Sequence, residues 1–161
     1  MRHAVLVSRD KTGRETDVKE ISPQEAYETM QGDAEAVYID VRTVEEFTAG
    51  HPEGAVNIPI AFLDPAQGMV FNPEFVEVVE RHFARDRKLL LGCKAGPRSN
   101  NAANLLEQRG YRDVASVRGG FGGMRDPYGQ VLAEGWADLG LPVSLDNGEG
   151  TSYESLATGP G

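Results

Sequence analysis

Lys88-Leu-Leu-Leu-Gly-Cys93-Lys-Ala-Gly-Pro-Arg98-Ser99 decides how the rest of the chain is read. Three leucines in a row, bounded by turn residues, make a buried strand. Gly96 and Pro97 just beyond it make a tight loop. From Ser99 to Arg109 the pattern is helical, and Gly110 stops it. Cys93 is therefore the first residue of a strand-loop-helix junction. A thiol below a helix N-terminus meets backbone N–H donors and the positive end of the macrodipole, which favour the thiolate, and Arg98 and Lys94 add full charges. Gly96 lets the loop curl so that its N–H groups converge on the sulfur, whereas Pro97 contributes no donor. Arg98 offers a planar fork suited to an oxyanion.

Working outward, the same strand-helix alternation recurs. Ser22-Pro23-Gln24-Glu25 combines an N-cap, a proline at the first helical position and a capping-box glutamate, so a helix is predicted from about 23 to 31, stopped near Gly32. Val37-Tyr-Ile-Asp-Val41 is a short buried strand with Asp40 and Arg42 at its C-terminal end. Thr43-Val-Glu-Glu46 repeats the capping box and opens a short helix through Ala49. Gly50 to Gly54 is a turn, Ala55 to Pro59 a short strand, and Asn72-Pro73 caps a helix whose apolar face is Phe75, Val78, Val79 and Phe83. Val114 to Val117 is the next strand, ending at Gly119-Gly120. Such alternation implies an α/β fold with a mostly parallel central sheet and helices on both faces, in which ligands sit at the C-terminal ends of strands.

A length of 161 residues suits one domain. Residues 1–16 read as an N-terminal arm or hairpin, 17–145 as the domain, and 146–161, rich in Gly, Ser, Thr and Glu, as a flexible C-terminal tail. Residues 121–135 read as a loop or small hairpin with a turn at Asp126-Pro-Tyr-Gly129, and Trp136 to Leu139 as the start of a last short helix. No apolar run approaches the roughly 18 residues of a membrane span, and the N-terminal apolar run is too short for a signal peptide, so a cytoplasmic location is expected. A single cysteine excludes an internal disulfide framework and a multi-thiolate metal site built within one chain.

The formal charge is -9, from 16 basic and 25 acidic side chains, which argues against a nucleic-acid or anionic-membrane partner. Residues 81–125, however, hold ten basic groups and three acidic ones, with Cys93 among them. That is the arrangement expected where a small anion is drawn to a thiolate; purposeless helix-surface charge is the other reading.

With these residues in view, the sequence resembles the rhodaneses, sulfurtransferases of the thiosulfate type. The resemblance rests on Cys-x-x-Gly-x-Arg-Ser at 93–99, on Asp40-Val-Arg42 followed by Glu45-Glu-Phe47, on Gly50-His51-x-x-Gly54-Ala55-x-Asn57-Ile58-Pro59, and on Gly119-Gly120. It implies a rhodanese-like α/β domain whose cysteine attacks the outer sulfur of a donor, becomes a persulfide, and passes that sulfur to cyanide or a thiol. The implied partners are a small anionic sulfur donor and a thiol or cyanide acceptor, or a protein in either role; no metal or organic cofactor, nucleic acid or membrane is called for.

By matching positions, the resemblance makes Cys93 the nucleophile and Lys94, Ala95, Gly96, Pro97 and Arg98 the cradle, with Arg98 orienting the donor and Ser99 and Arg42 completing the binding set. Asp40 is expected to pair with Arg98 or Arg42 and hold the loop in shape. Two rival readings follow from the same residues. Cysteine phosphatases and arsenate reductases use a similar loop, but the phosphatase arginine lies one position further on, and no acid stands in this loop to protonate a leaving alkoxide. A non-catalytic module for sulfur carriage or protein recognition is the other, against which the intact cysteine and arginine argue. His51 is read as structural, Trp136 as core, and His3 and His82 as surface groups. The family's tryptophan usually follows the glycine pair within a few residues; here fifteen intervene, and this insertion, with Phe121, Met124, Arg125 and Tyr128, is expected to form part of the pocket wall.

Overall fold

The computed structural model describes residues 6–9 and 15–158. In chain order the elements are β1 (Leu6–Arg9), β2 (Glu15–Ile21), α1 (Pro23–Gly32), β3 (Val37–Asp40), α2 (Val44–Ala49), β4 (His51–Pro52), β5 (Val56–Asn57), β6 (Ala61–Asp64), β7 (Gly68–Phe71), α3 (Phe75–His82), β8 (Leu89–Gly92), α4 (Pro97–Gln108), β9 (Val114–Val117), β10 (Met124–Arg125), β11 (Val131–Ala133), β12 (Val143–Ser144) and α5 (Tyr153–Thr158). The central sheet runs β1-β2-β9-β8-β3-β5, parallel throughout except for β1, which pairs antiparallel with β2. β1 and β2 thus pair at one edge of the sheet, and β2 joins the remaining strands through β9. His3 lies outside the described residues.

Alternating side chains divide between the two faces, as strand geometry requires. Leu89 and Leu91 pack with Ile39, Val41 and the inner faces of α3, α4 and α5. Leu90 packs with Tyr38, Ala26 of α1, Phe47 of α2 and Trp136. Both predicted capping boxes are present: Ser22 and Glu25 open α1, and Thr43 and Glu46 open α2.

The parallel register does one thing for function. Asp40 stands level with Gly92 on one side and Asn57 on the other, and Leu91 stands level with Ser116. The C-terminal ends of β3, β5, β8 and β9 therefore form one rim, and Cys93 is the first residue above it.

Four elements differ from the sequence reading. Helix α3 starts at Phe75, because the Asn72 side chain accepts the Glu74 N–H in a turn rather than capping the helix directly. Residues 61–71 form an antiparallel hairpin that the sequence did not announce. Trp136 to Gly140 is a run of turns, closed by Gly140 at φ +69° and followed by Pro142, which leaves no room for a second helical turn. The segment after Asp146 is docked: the Thr151 carbonyl accepts the Asn57 N–H at 2.9 Å, and α5 buries Leu156 in the main core. Few apolar residues suffice there because the polar backbone is satisfied by the sheet edge.

Candidate active site

The loop from Cys93 to Arg98 curls over its own sulfur. Cys93 is 1% exposed, and its Sγ receives the Gly96 N–H at 2.9 Å. Gly96 adopts φ +138°, which presents that N–H inward and starts α4. Ser99 lies within the first turn of α4 with its Oγ 3.6 Å from Sγ. That hydroxyl donates to the Gly96 carbonyl at 2.9 Å and shares a 2.8 Å hydrogen bond with the Ser116 hydroxyl on β9. Both serines are fully buried, so each needs such a partner. Lys94 and Pro97 are exposed, Ala95 is half-buried, and Gly96 is buried.

Arg98 is held from outside the loop. Its Nη1 and Nη2 donate to the two carboxylate oxygens of Glu46 at 2.7 and 3.1 Å. Glu46 Oε1 also accepts the Thr43 N–H, so a single carboxylate closes the capping box of α2 and clamps the loop arginine. Burial pushes the Glu46 carboxyl up, but the Arg98 hydrogen bond, the Thr43 N–H and the guanidinium charge outweigh it and hold the carboxyl at about 2. On the other side, the Glu46 hydrogen bond outweighs desolvation and raises the Arg98 guanidinium above its ordinary value, helped by the Glu46, Cys93 and Asp40 charges.

Asp40 pairs with Arg42 and not with Arg98. Its carboxylate accepts Arg42 Nη2 at 2.7 Å, Nε at 3.0 Å and the Arg42 backbone N–H at 3.0 Å. Arg42 also donates to the Gly50 carbonyl at 2.7 Å and lies 4.4 Å from the centre of the Phe121 ring. Its side chain is 5% exposed. These commitments place Arg42 inside the wall behind the loop, where it cannot offer a free fork to an incoming anion, and leave the outer position to Arg98. Burial, with the Asp40 and Cys93 charges, raises the neighbouring Tyr38 hydroxyl well above its ordinary value and keeps it neutral.

The insertion at 121–135 is a hairpin of β10 and β11 with the predicted turn, the Gly129 N–H donating to the Asp126 carbonyl at 3.0 Å. Its root touches the loop: the Phe121 and Gly122 N–H groups donate to the carbonyls of Cys93 and Lys94 at 2.7 and 2.8 Å. Gly120 permits that approach, since a Cβ there would collide with the Cys93 carbonyl and the backbone sits at φ +51°. Its tip stands clear, with Tyr128 91% exposed.

His51 is buried, stacked on Phe47 at 3.7 Å, with its ring nitrogens against the Pro52 and Asp146 carbonyls. His82 meets the Leu156 carbonyl at 2.7 Å, and Trp136 is fully buried. The cationic stretch is largely neutralised: Arg81, Arg85, Arg87, Lys88, Arg98, Arg118 and Arg125 each face a carboxylate. Sequence charge counting therefore overstated the field, because all but one of the acids that answer these groups, Asp113 being the exception, lie outside residues 81–125. Two residues that build the site were not singled out as such. Glu46 stands in the sequence as a capping-box residue and as the middle of Glu45-Glu-Phe47, with nothing to pair it with Arg98, and Ser116 is a polar position in an otherwise apolar strand. No helix among the described residues is long and apolar enough to cross a membrane.

Residues 22–126 match the rhodanese-like domain family. Thiosulfate sulfurtransferase 16, chloroplastic, of Arabidopsis thaliana is 38% identical over 106 residues, 66% of this chain and 78% of that protein. The thiosulfate sulfurtransferase GlpE of Haemophilus influenzae is 33% identical over 78% of this chain and 93% of its own length. Among solved structures, Rv0390 from M. tuberculosis superposes with a TM-score of 0.66 at 28% identity, over 79% of this chain and 97% of that one.

Proposed function

The chain belongs to the rhodanese family, and from that premise we propose that it is a sulfurtransferase carrying sulfane sulfur on Cys93. The observation that carries this reading is the Gly96 N–H aimed at Sγ at 2.9 Å inside a loop whose only guanidinium, Arg98, stands at its far end. A loop of this size encloses a single sulfur atom, and inward N–H groups stabilise a persulfide anion much as they do an oxyanion.

With thiosulfate as donor, the Cys93 thiolate attacks the outer sulfur. A new S–S bond forms to Sγ, the bond to the sulfonate sulfur breaks, and sulfite leaves with its electron pair. Arg98 retains its Nε–H and one hydrogen on each Nη after pairing with Glu46, and these orient the sulfonate oxygens. Asp40 and Arg42 hold the wall behind the loop and position it. In the second half-reaction cyanide or a thiolate attacks the outer sulfur and Sγ recovers the electron pair. As the chain has one cysteine, the acceptor comes from outside. We also place the protein in the cytoplasm, with residues 17–145 as the catalytic unit.

Intact-protein mass spectrometry after incubation with thiosulfate tests this. Wild type should gain one sulfur, about 32 Da, lost on adding cyanide, and Cys93→Ser should gain nothing. A wild type that takes no sulfur from thiosulfate or from glutathione persulfide sinks the reading and favours a non-catalytic module.

A further inference from the structure

β9 consists of Val114, Ala115, Ser116 and Val117, all buried. A serine inside such a strand must satisfy its hydroxyl without water. Ser116 alternates onto the face of Val114, which packs with Ala102, Ala103 and Leu106 of α4, and it stands level with Leu91, two residues before Cys93. Its hydroxyl therefore points under the first turn of α4, where it meets Ser99.

Hydrogen counting fixes which serine donates. The Ser99 hydroxyl carries one hydrogen and two lone pairs. That hydrogen goes to the Gly96 carbonyl, which can only accept. The 2.8 Å contact between the serines is then a hydrogen bond donated by Ser116. The other lone pair of Ser99 faces Sγ at 3.6 Å, where it accepts the S–H of a protonated Cys93. The Gly96 carbonyl does not depend on Ser99, because it also accepts the Asn100 N–H at 3.0 Å.

We propose that Ser116 is a positioning residue for Cys93 that acts through Ser99. Its hydroxyl donates in both states of the thiol and holds the Ser99 oxygen in place. The Ser99 hydrogen then has two stations: the Gly96 carbonyl while Cys93 is a thiol, and Sγ once the thiol proton has left to solvent. Turning one O–H bond replaces a lone pair facing the thiolate with a donor, and Ser99 keeps its own proton throughout. Ser116 matters more to the thiolate than to the thiol. Without it the Ser99 oxygen still accepts the S–H of the thiol, but it accepts nothing once Cys93 is ionised. The proposal rests on the sulfurtransferase reading for what the thiolate then attacks. The other groups that bear on Cys93 are Tyr38 and Asp40 of β3, Arg42 beyond it, Lys94 in the loop and Arg98 with its partner Glu46, while Arg118 after β9 is turned to Glu20. All are the same in wild type and Ser116→Ala, so a difference between the two reads the hydroxyl.

The test follows loading of Cys93 by thiosulfate, by mass spectrometry between about pH 5 and 10, with alkylation by iodoacetamide as a second probe. In Ser116→Ala both rates fall about fivefold on the acidic limb, as loss of one neutral hydrogen bond implies, and meet wild type on the alkaline plateau, where the thiol is ionised in either protein. The thiosulfate concentration for half-maximal loading is unchanged, since Arg98 is untouched. Ser116→Thr, which keeps the hydroxyl and suits a strand, restores the profile. Ser99→Ala/Ser116→Ala coincides with Ser99→Ala, because Ser116 acts through Ser99 alone. The double variant removes both partners at once, which a buried site tolerates, so this comparison decides the matter should Ser116→Ala alone not fold. A Ser116→Ala profile equal to that of wild type, a loss of the same size at every pH, or a double variant displaced beyond Ser99→Ala overturns the proposal. A wild type and variants that are alkylated in this pattern but take up no sulfur uphold the positioning role and sink the sulfurtransferase reading.

Discussion

Glu46 and Arg98, 52 residues apart in sequence, meet as a two-point ion pair at 2.7 and 3.1 Å that ties the first turn of α2 to the sulfur-carrying loop. The pair is half-buried, so solvent screens it less than a surface bridge, and its geometry fixes the plane of the guanidinium. What the loop presents to a donor anion therefore depends on a carboxylate that lies outside it.

Replacing that carboxylate should be felt in donor binding first. In Glu46→Gln the fork loses its charged anchor, and the KM for thiosulfate is expected to rise by about tenfold, with a smaller fall in kcat. Steady-state kinetics check this; an unchanged KM would mean that Arg98 holds its position without Glu46.

The same substitution carries a pH signature. The Glu46 carboxyl is held at about 2 in the folded protein against an ordinary 4.5. A carboxyl depressed on folding stabilises above its unfolded value, and that contribution is lost as pH falls from there towards the folded value. The stability gap between wild type and Glu46→Gln should thus be widest at neutral pH and close between about pH 4.5 and 2. Urea midpoints at pH 7, 4 and 3 measure it, and a gap that stays constant across this range would contradict the assignment.

Asp40→Asn should destabilise the fold more than it alters chemistry. It leaves Arg42 buried, at 5% exposure, without its charge partner. Breaking a buried pair from one side costs about 3–5 kcal/mol. The double replacement Asp40→Asn/Arg42→Met should recover much of that loss, as seen by denaturant unfolding; a double variant no more stable than the single one would place the cost elsewhere.

Leu91→Ala tests the strand that carries the nucleophile. Leu91 is fully buried on the face covered by α3 and α4, and a leucine removed from such a site costs about 2–5 kcal/mol. Since Cys93 follows two residues later, persulfide loading should survive below the lowered melting temperature. Thermal unfolding followed by mass spectrometry at 15 °C separates the two effects, and loss of loading in a folded variant would show that the strand also tunes the loop.

Much of the architecture was legible because local signals agreed with one another. The capping boxes at Ser22 and Thr43, the leucine run before Cys93 and the Gly110 stop each point to the element that forms. The loop was equally legible, since its residues are contiguous. The partner of Arg98 was not, because a pair across 52 residues leaves no local trace and Asp40 was an equally good candidate by charge. Nor was the β6-β7 hairpin: Met69 and Phe71 alternate with Val70 but stay exposed, so the pattern lacks the buried side that marks a strand. The docked end of the chain escaped notice for a related reason, as its hold on Asn57 is through backbone atoms that any sequence possesses.

The order in which the chain leaves the ribosome gives the sheet topology another meaning. β2 lies beside β9, Lys19 level with Ala115, so the strand made near the beginning waits about a hundred residues for its parallel neighbour. Until then, among the described strands, β1 alone can cover one of its edges. A nascent chain therefore carries β2 half-finished until β9 emerges, and translation stalled before residue 114 would leave that edge open to pairing with other chains.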